Sequence, residues 1–215
     1  MELYPFKFGF CSNTIIYGPS FSGKSTFVQK VLTNPYLWEE PIDKIHYYYG
    51  IESESLKKMK ELFPSANFTY GLPEDLETPF DPNLNEVAVF DDLGAEIEQS
   101  KEFCQFLSRI THHKRIHAFV ISQFIFGGGK FKRQQASNYS MVVLFPSKRS
   151  AYQIQILGKQ VGVADSRFIV QAYNDATKEN HGFLILDLRE SSPSEVRLVS
   201  NIFLEKPPHA VCVYI

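Results

Sequence analysis

The sequence predicts an α/β domain on a mostly parallel central sheet, with helices covering both faces. Three observations point there. Short apolar runs of strand length recur along the chain, separated by segments whose apolar residues fall at helical spacing. One strand-to-helix junction, GPSFSGKST from Gly18 to Thr26, combines two glycines, a lysine and several hydroxyls. The composition also supports a full core: 44% of the 215 residues are hydrophobic and 14% aromatic, which argues against a disordered chain.

Taken in order, Asn13–Tyr17 reads as a short buried strand. Lys24–Leu32 reads as a helix stopped near Asn34 and Pro35, because proline cannot continue it. Lys44–Tyr49 (KIHYYY) is a strand by its aromatic content, and the run of Tyr47, Tyr48 and Tyr49 packs both faces in preference to stacking a base. Ser53–Phe63 is helical, with Ser53 as its cap and Pro64 beyond its end. Asn67–Tyr70 is a weak strand, and Leu72–Asn85, with three prolines, is a loop. Val87–Phe90 is an apolar strand running into Asp91 and Asp92. Gln99–Lys114 is one helix with Phe103, Phe106, Leu107 and Ile110 on its apolar face. His117–Ser122 is a strand, and Phe126–Ser137 a glycine-rich, basic segment. Met141–Phe145 is a strand, Ser150–Gly158 and Arg167–Asn174 are helices, and Phe183–Leu188 is a late strand. Residues 1–190 are expected to form the main domain. Residues 191–215, polar and then proline-containing, form an extension packed on it or extending from it.

Charge and cysteine content narrow the function. A formal charge of −2 excludes a generally basic nucleic-acid coat but leaves local basic patches open. Cys11, Cys104 and Cys212 are scattered and odd in number, which argues against a disulfide framework or zinc site and fits a reducing compartment. No apolar run approaches the ~20 residues that span a bilayer. The start, MELYPFKFGF, lacks the pattern of a signal peptide, so no membrane anchor is expected.

GPSFSGKS fits the phosphate-binding pattern GxxxxGK[ST]. A polyphosphate needs many donors at short range, and a loop leading into a helix offers backbone N–H groups and the positive end of the helix dipole. Gly18, Ser20, Ser22, Gly23, Lys24, Ser25 and Thr26 are the candidate nucleotide-binding residues. In that pattern Lys24 reaches the β- and γ-phosphates and Ser25 ligates Mg²⁺. Asp91 is placed to hold the Mg²⁺ through its water shell, and Asp92 to orient or deprotonate an attacking water. The bland alternative is that the two acids open a polar loop. Gln123 ends a third strand, where an amide can bond the attacking water or the γ-phosphate; alternatively it is only a strand-terminal polar residue. The order of the three motifs predicts a sheet in which the Gln123 strand lies between the other two. The fold expected is therefore a P-loop NTPase, RecA/ASCE-like, a three-layer sandwich with a mostly parallel central sheet. Phe6 and Phe8, before the first strand, are candidate adenine contacts.

The trio GPSFSGKST, VAVFDD and FVISQ, with RITHHKRIHAF between the last two, resembles the FtsK-HerA superfamily of DNA-pumping ATPases. SNYSMVVLFPSKRS and FIVQAYNDATKENHGFLILDL extend the resemblance from about residue 13 to residue 203. It is most similar to the genome-packaging ATPases of poxvirus-like and adenovirus-like viruses and Polinton-type elements. One departure is the pair Asp91-Asp92, where cellular members usually carry Asp-Glu. The resemblance implies ATP and Mg²⁺ as cofactors and hydrolysis coupled to translocation of double-stranded DNA into a preformed capsid. It also implies a homo-oligomeric ring, hexameric or pentameric, docked on a capsid vertex or portal protein. The location implied is the infected host cell, in a virus factory or nucleus, or the virion. A neighbour's arginine would then offset charge on the γ-phosphate, with Arg149 the first choice, Arg133 the second and Arg115 the third. Lys130, Lys132 and Arg133, after three glycines, are DNA-backbone candidates; a second basic cluster runs from His112 to His117. Either cluster could instead be solvated charge. The competing readings are a P-loop nucleoside or nucleotide kinase, a cellular or plasmid DNA-pumping ATPase, and a nucleotide-binding subunit without turnover.

Overall fold

The computed structural model describes residues 6–123, 130–147, 151–160, 166–192, 197–203 and 212–213; of these, the side chains of 132, 151, 160, 166, 212 and 213 are left aside. The elements in chain order are β1 (Ser12–Tyr17), α1 (Lys24–Leu32), β2 (Lys44–Tyr49), α2 (Glu54–Leu62), β3 (Asn67–Tyr70) and β4 (Glu86–Asp91). They continue with α3 (Gly94–Gln99), α4 (Lys101–Gln105), a π-helical turn (Phe106–Ile110), α5 (Thr111–His113), β5 (Ile116–Ser122), α6 (Lys132–Ala136) and β6 (Met141–Leu144). The last are α7 (Ala151–Gln160), α8 (Ser166–Ala176), β7 (Leu184–Asp187), β8 (Leu198–Ser200) and β9 (Cys212–Val213).

Among the described residues the strands form one sheet in the order β3-β2-β4-β5-β1-β6-β7-β8-β9. Every pairing from β3 to β6 is parallel, and the three from β6 to β9 are antiparallel. A chain that alternates strands and helices must cross over between strands, which makes the parallel part. The antiparallel part begins with β7, which pairs with β6 across the two helices α7 and α8.

Alternate residues of each strand face opposite ways, so each face has its own core. Ile16, Val89, Phe119, Val143 and Ile185 pack on one face with Phe27, Val28 and Val31 of α1 and Leu56 and Met59 of α2. Ile15, Phe90, Val120, Leu144 and Leu186 pack on the other with Phe103, Phe106 and Leu107, with Ile154 of α7 and with Ile169 of α8. The result is three layers, as the sequence predicts. Tyr47 and Tyr49 go to the first face and Tyr48 to the second, so the tyrosine run packs a strand from both sides. Among the described residues no helix is long and apolar enough to cross a membrane.

Three expectations change. The single helix expected over Gln99–Lys114 begins earlier, at Gly94, and breaks at Ser100, whose backbone is extended. Ser100 restarts it, its hydroxyl accepting from Phe103 N at 2.9 Å; a side chain able to cap a helix competes with continuing one. A π-helical turn then shifts the register before α5. Second, the glycine-rich, basic segment, for which no helix is expected, holds α6, whose buried Gln135 donates from Nε2 to Ile97 O at 2.6 Å and fastens it to α3. Third, Phe6 and Phe8 are not adenine contacts. Phe8 is fully buried at the strand-start end of the sheet among Trp38, His117 and Phe119, and Phe6 stacks edge-on against it.

Candidate active site

The carboxyl ends of the parallel strands converge on one edge, and the backbone ties them together. Gly18 N donates to Ser122 O at 3.3 Å, joining the loop after β1 to the tip of β5. Phe145 N donates to Tyr17 O at 2.8 Å, and Gly50 N to Asp91 O at 2.9 Å, adding the tips of β6 and β2. The strands β4, β5 and β1 are consecutive in the sheet, so the Asp91 strand and the GPSFSGKST loop flank the Gln123 strand.

The loop is shaped for close approach. A Cβ on Gly18 would lie 2.6 Å from Ser22 Oγ and 2.7 Å from Phe145 Cβ, so only glycine fits. Gly23 has φ 106°, a left-handed conformation that side chains rarely adopt, and from there the chain enters α1. No side chain caps α1, whereas Ser53 caps α2 by accepting from Leu56 N at 3.2 Å. The hydroxyl of Ser22 is buried and has no hydrogen-bond partner. A helix start lacking a side-chain cap, a buried hydroxyl without a partner and a cradle that admits no Cβ together fit a bound phosphate chain.

Lys24 is buried, and its Nζ donates to Gly18 O and Pro19 O, each at 2.8 Å, so the ammonium lies against the loop it belongs to. Burial pushes its pKa below the usual lysine value, while Asp91 and Asp92 pull the other way. Ser25 Oγ donates to Asp91 Oδ2 at 3.2 Å, and Tyr47 Oη donates to the same oxygen at 2.7 Å. Burial pushes the Asp91 carboxyl above the ordinary range, with the tyrosine bond opposing it. Burial and the neighbouring Asp91 push the Tyr47 phenol well above its ordinary value, which keeps it a donor. A hydroxyl and a carboxylate in contact, both of hard oxygen, are the donor set Mg²⁺ takes. Ser25 and Asp91 are therefore the residues that would hold it.

Asp92 is exposed and has φ 56°, a strained conformation for a residue with a side chain. Gln123 is exposed immediately beyond β5. Ser20 and Thr26 are exposed on the loop and the first turn of α1. Arg149 lies outside the described residues. Arg115 sits at the opposite end of β5, where its guanidinium donates to Glu40 and to Asn85 Oδ1 at 2.6 and 2.9 Å, so the structure does not bring it to the loop. Lys130 and Arg133 are exposed beside and on α6, on the sheet face opposite α1; the Lys132 side chain is outside the described set.

Three residues here carry no motif in the sequence. Tyr47 and Gly50 reach the acids from β2, and His181 reaches the loop from the turn before β7. His181 has φ 61°, and its Nδ1–H donates to Ser22 O at 3.1 Å across 159 residues of sequence. Tyr173 Oη donates to Phe145 O at 2.9 Å and accepts from Ser147 N at 2.8 Å, fastening the start of the segment that leads to Arg149.

No protein-family model and no curated protein sequence matches the chain. Among the solved structures similar in fold are two that cover most of this chain. One is B204, the DNA-packaging ATPase of Sulfolobus Turreted Icosahedral Virus, 13% identical, with 84% of this chain and 94% of that one covered and a TM-score of 0.55. The other is the flagellar accessory protein FlaH from Methanocaldococcus jannaschii, 13% identical, with 96% and 91% covered and a TM-score of 0.50. The likeness is one of fold, and with the loop geometry it gives an α/β P-loop NTPase fold.

Proposed function

We propose that this chain hydrolyses ATP to drive double-stranded DNA into a viral capsid, as a homo-oligomeric ring of the FtsK-HerA type. The observation that carries the reading is the contact of Ser25 with Asp91 at the foot of a glycine loop that admits no Cβ. The phosphate loop, the acidic strand tip and the polar-tipped strand fall side by side, as a triphosphate and its metal require. The fold shared with a viral DNA-packaging ATPase, over 84% of this chain and 94% of that one, supports the motor reading and the packaging role.

In this reading Gly18, Ser20, Ser22, Gly23 and Thr26 surround the phosphates with N–H and hydroxyl donors, and Lys24 leaves its two carbonyl partners for the β- and γ-oxygens. When bound, Mg²⁺ neutralises phosphate charge and polarises the γ-phosphoryl group. Asp92 accepts the proton of the attacking water, and its exposure leaves it free to do so. Gln123 orients that water or the γ-phosphate. Arg149 of a neighbouring copy offsets charge in the transition state. Lys130, Lys132 and Arg133 contact the DNA backbone, a sequence-independent interaction that salt weakens. The setting is an infected cell, with a capsid vertex or portal protein as partner.

ATP turnover measured with and without duplex DNA, alongside the mass of the assembled species, tests this. Stimulation of phosphate release by DNA in a ring-sized species is expected. Turnover indifferent to DNA, or transfer of the γ-phosphate to a small acceptor, would replace the motor with another P-loop enzyme.

A further inference from the structure

Strand β2 carries no motif, yet Tyr47 within it and Gly50 just beyond it meet Asp91 and Asp92 at the tip of β4. Tyr47 Oη donates to Asp91 Oδ2 at 2.7 Å, shorter than the 3.2 Å bond from Ser25 to the same oxygen. The phenol is held in place on all sides: Tyr47 is 1% exposed and its ring lies 5.6 Å from that of Phe68. Three residues further on, Gly50 N donates to Asp91 O at 2.9 Å, and a Cβ on Gly50 would lie 2.2 Å from Asp92 O, a backbone atom with no room to yield. Asp92 sits there at φ 56°. A left-handed aspartate held under an incoming strand tip is strain that the surrounding structure must over-determine, and Gly50 is the residue that lets the surroundings close on it. Tyr49 and Asp91 are register partners in the parallel pairing of β2 with β4, so the alignment of the two tips is fixed by the sheet.

We infer that β2 is the jig of the active site: Tyr47 sets the carboxylate of Asp91, and Gly50 sets the backbone turn that aims Asp92. Both are positioning residues, and the inference rests on the reading of Asp91 and Asp92 as metal and water groups. The two acids are adjacent in sequence, and a strand would point them to opposite faces. With φ 56° Asp92 leaves the strand conformation, so the alternation ends there, and Gly50 at the end of β2 supplies the contact that keeps the turn. One tyrosine oxygen and one absent methyl group therefore divide two jobs between adjacent carboxylates.

The division makes the test specific. Mg²⁺-dependent binding of a fluorescent ATP analogue is measured for the wild type, Tyr47→Phe, Gly50→Ala and Lys24→Ala, with steady-state turnover and a melting curve for each. Tyr47→Phe removes one oxygen and keeps the ring. It is expected to raise the Mg²⁺ concentration needed for half-maximal analogue binding about tenfold, with binding in the absence of Mg²⁺ unchanged. Gly50→Ala is expected to keep analogue affinity within about twofold and lower kcat on the order of 10²-fold. A purely structural role would lower the melting temperature and leave both the Mg²⁺ requirement and the split between affinity and kcat where they were. Should Gly50→Ala not fold, Tyr47→Phe alone decides, because Phe occupies the same core. Wild-type values for Tyr47→Phe and Gly50→Ala, with Lys24→Ala defective, overturn the jig and leave the nucleotide site standing. Wild-type binding by Lys24→Ala overturns the site itself.

Discussion

The two ends of the parallel strands are both polar, and they use polarity differently. At the strand-start end, His117 is fully buried, with Nδ1 2.6 Å from Gly9 O and 2.8 Å from Ser12 Oγ and Nε2 3.0 Å from Thr14 Oγ1. His46 lies 3.3 Å from Glu86 Oε1, Glu86 also accepts from Asp81 N at 2.8 Å, and Arg115 and Lys114 are spent on Glu40, Asn85, Glu77 and Phe80. Apart from Asn13 Oδ1 and Arg197 Nε, the buried side-chain groups described there have partners within the chain. At the strand-finish end, Ser22 Oγ has none, α1 has no side-chain cap, Asp92 is exposed and strained, and Lys24 finds only its own loop's carbonyls. Polar groups that satisfy one another hold a fold, and polar groups with capacity left over wait for a ligand. Basic residues and histidines crowd the sequence from His112 to His117, but the structure puts them at the closed end.

Acid should separate the two ends most strongly. Burial holds the His46 pKa near 4 and the His117 pKa near 3, against about 6.5 unfolded. The short His46–Glu86 contact is therefore a hydrogen bond of a neutral imidazole, since burial pushes the Glu86 carboxyl up and the histidine down. The unfolded chain takes up these protons first as pH falls, so the histidines' contribution is complete above pH ~6.5 and drains away towards pH 4 and below. At ~1.4 kcal/mol per unit it amounts to several kcal/mol, partly offset by Glu86 and Asp91, whose raised carboxyls act in the opposite sense. Melting temperature followed from pH 7 to pH 4 should fall steadily, before ordinary carboxylates titrate. A flat profile would mean that the closed end is not closed.

Lys24→Ala is the next largest effect. Turnover should fall roughly 10³-fold, the upper end of what one preorganised donor to a developing charge contributes, with the melting temperature nearly unchanged. A large loss of stability would make Lys24 a structural residue like those at the other end. Asp92→Asn, in an exposed residue, should lower kcat on the order of 10²-fold and leave nucleotide affinity within a few-fold. Equal losses in both would put Asp92 in binding instead. The smallest change is expected of His181→Ala, which removes one bond to the loop at Ser22 O. Nucleotide affinity should weaken by about 1 kcal/mol, a few-fold in Kd, readable by titration calorimetry. No change would make the His181 turn a bystander.

Much of this was legible in the sequence, for a physical reason. Strand and helix periodicity are local, so α1, α2, β4 and β5 could be read from apolar spacing, and Ser53 marks its own helix start. The phosphate loop is local as well, nine residues whose glycines and hydroxyls announce their use. The tip order β4-β5-β1 followed from three such motifs. What was missed acts across the sequence. Tyr47 meets Asp91 over 44 residues, and His181 meets Ser22 over 159, so neither has a neighbour in the chain that reveals it. Gly50 is one glycine among twelve, and only the 2.2 Å approach to Asp92 O distinguishes it. The break at Ser100 and the π-helical turn after it were hidden because a capping serine and a register shift leave the apolar spacing almost intact. Phe8 precedes β1 and the loop follows it, so the length of the strand separates them despite their closeness in sequence.

Calorimetric titration of Mg-ATP into the wild type and into Lys24→Ala goes to the heart of the matter. One nucleotide per chain in the wild type, with binding weakened about a hundredfold or more in the variant, is expected if the glycine loop before α1 holds the triphosphate. Binding of equal strength in the two proteins, or none in the wild type, would remove the nucleotide from the strand tips and every role built on it.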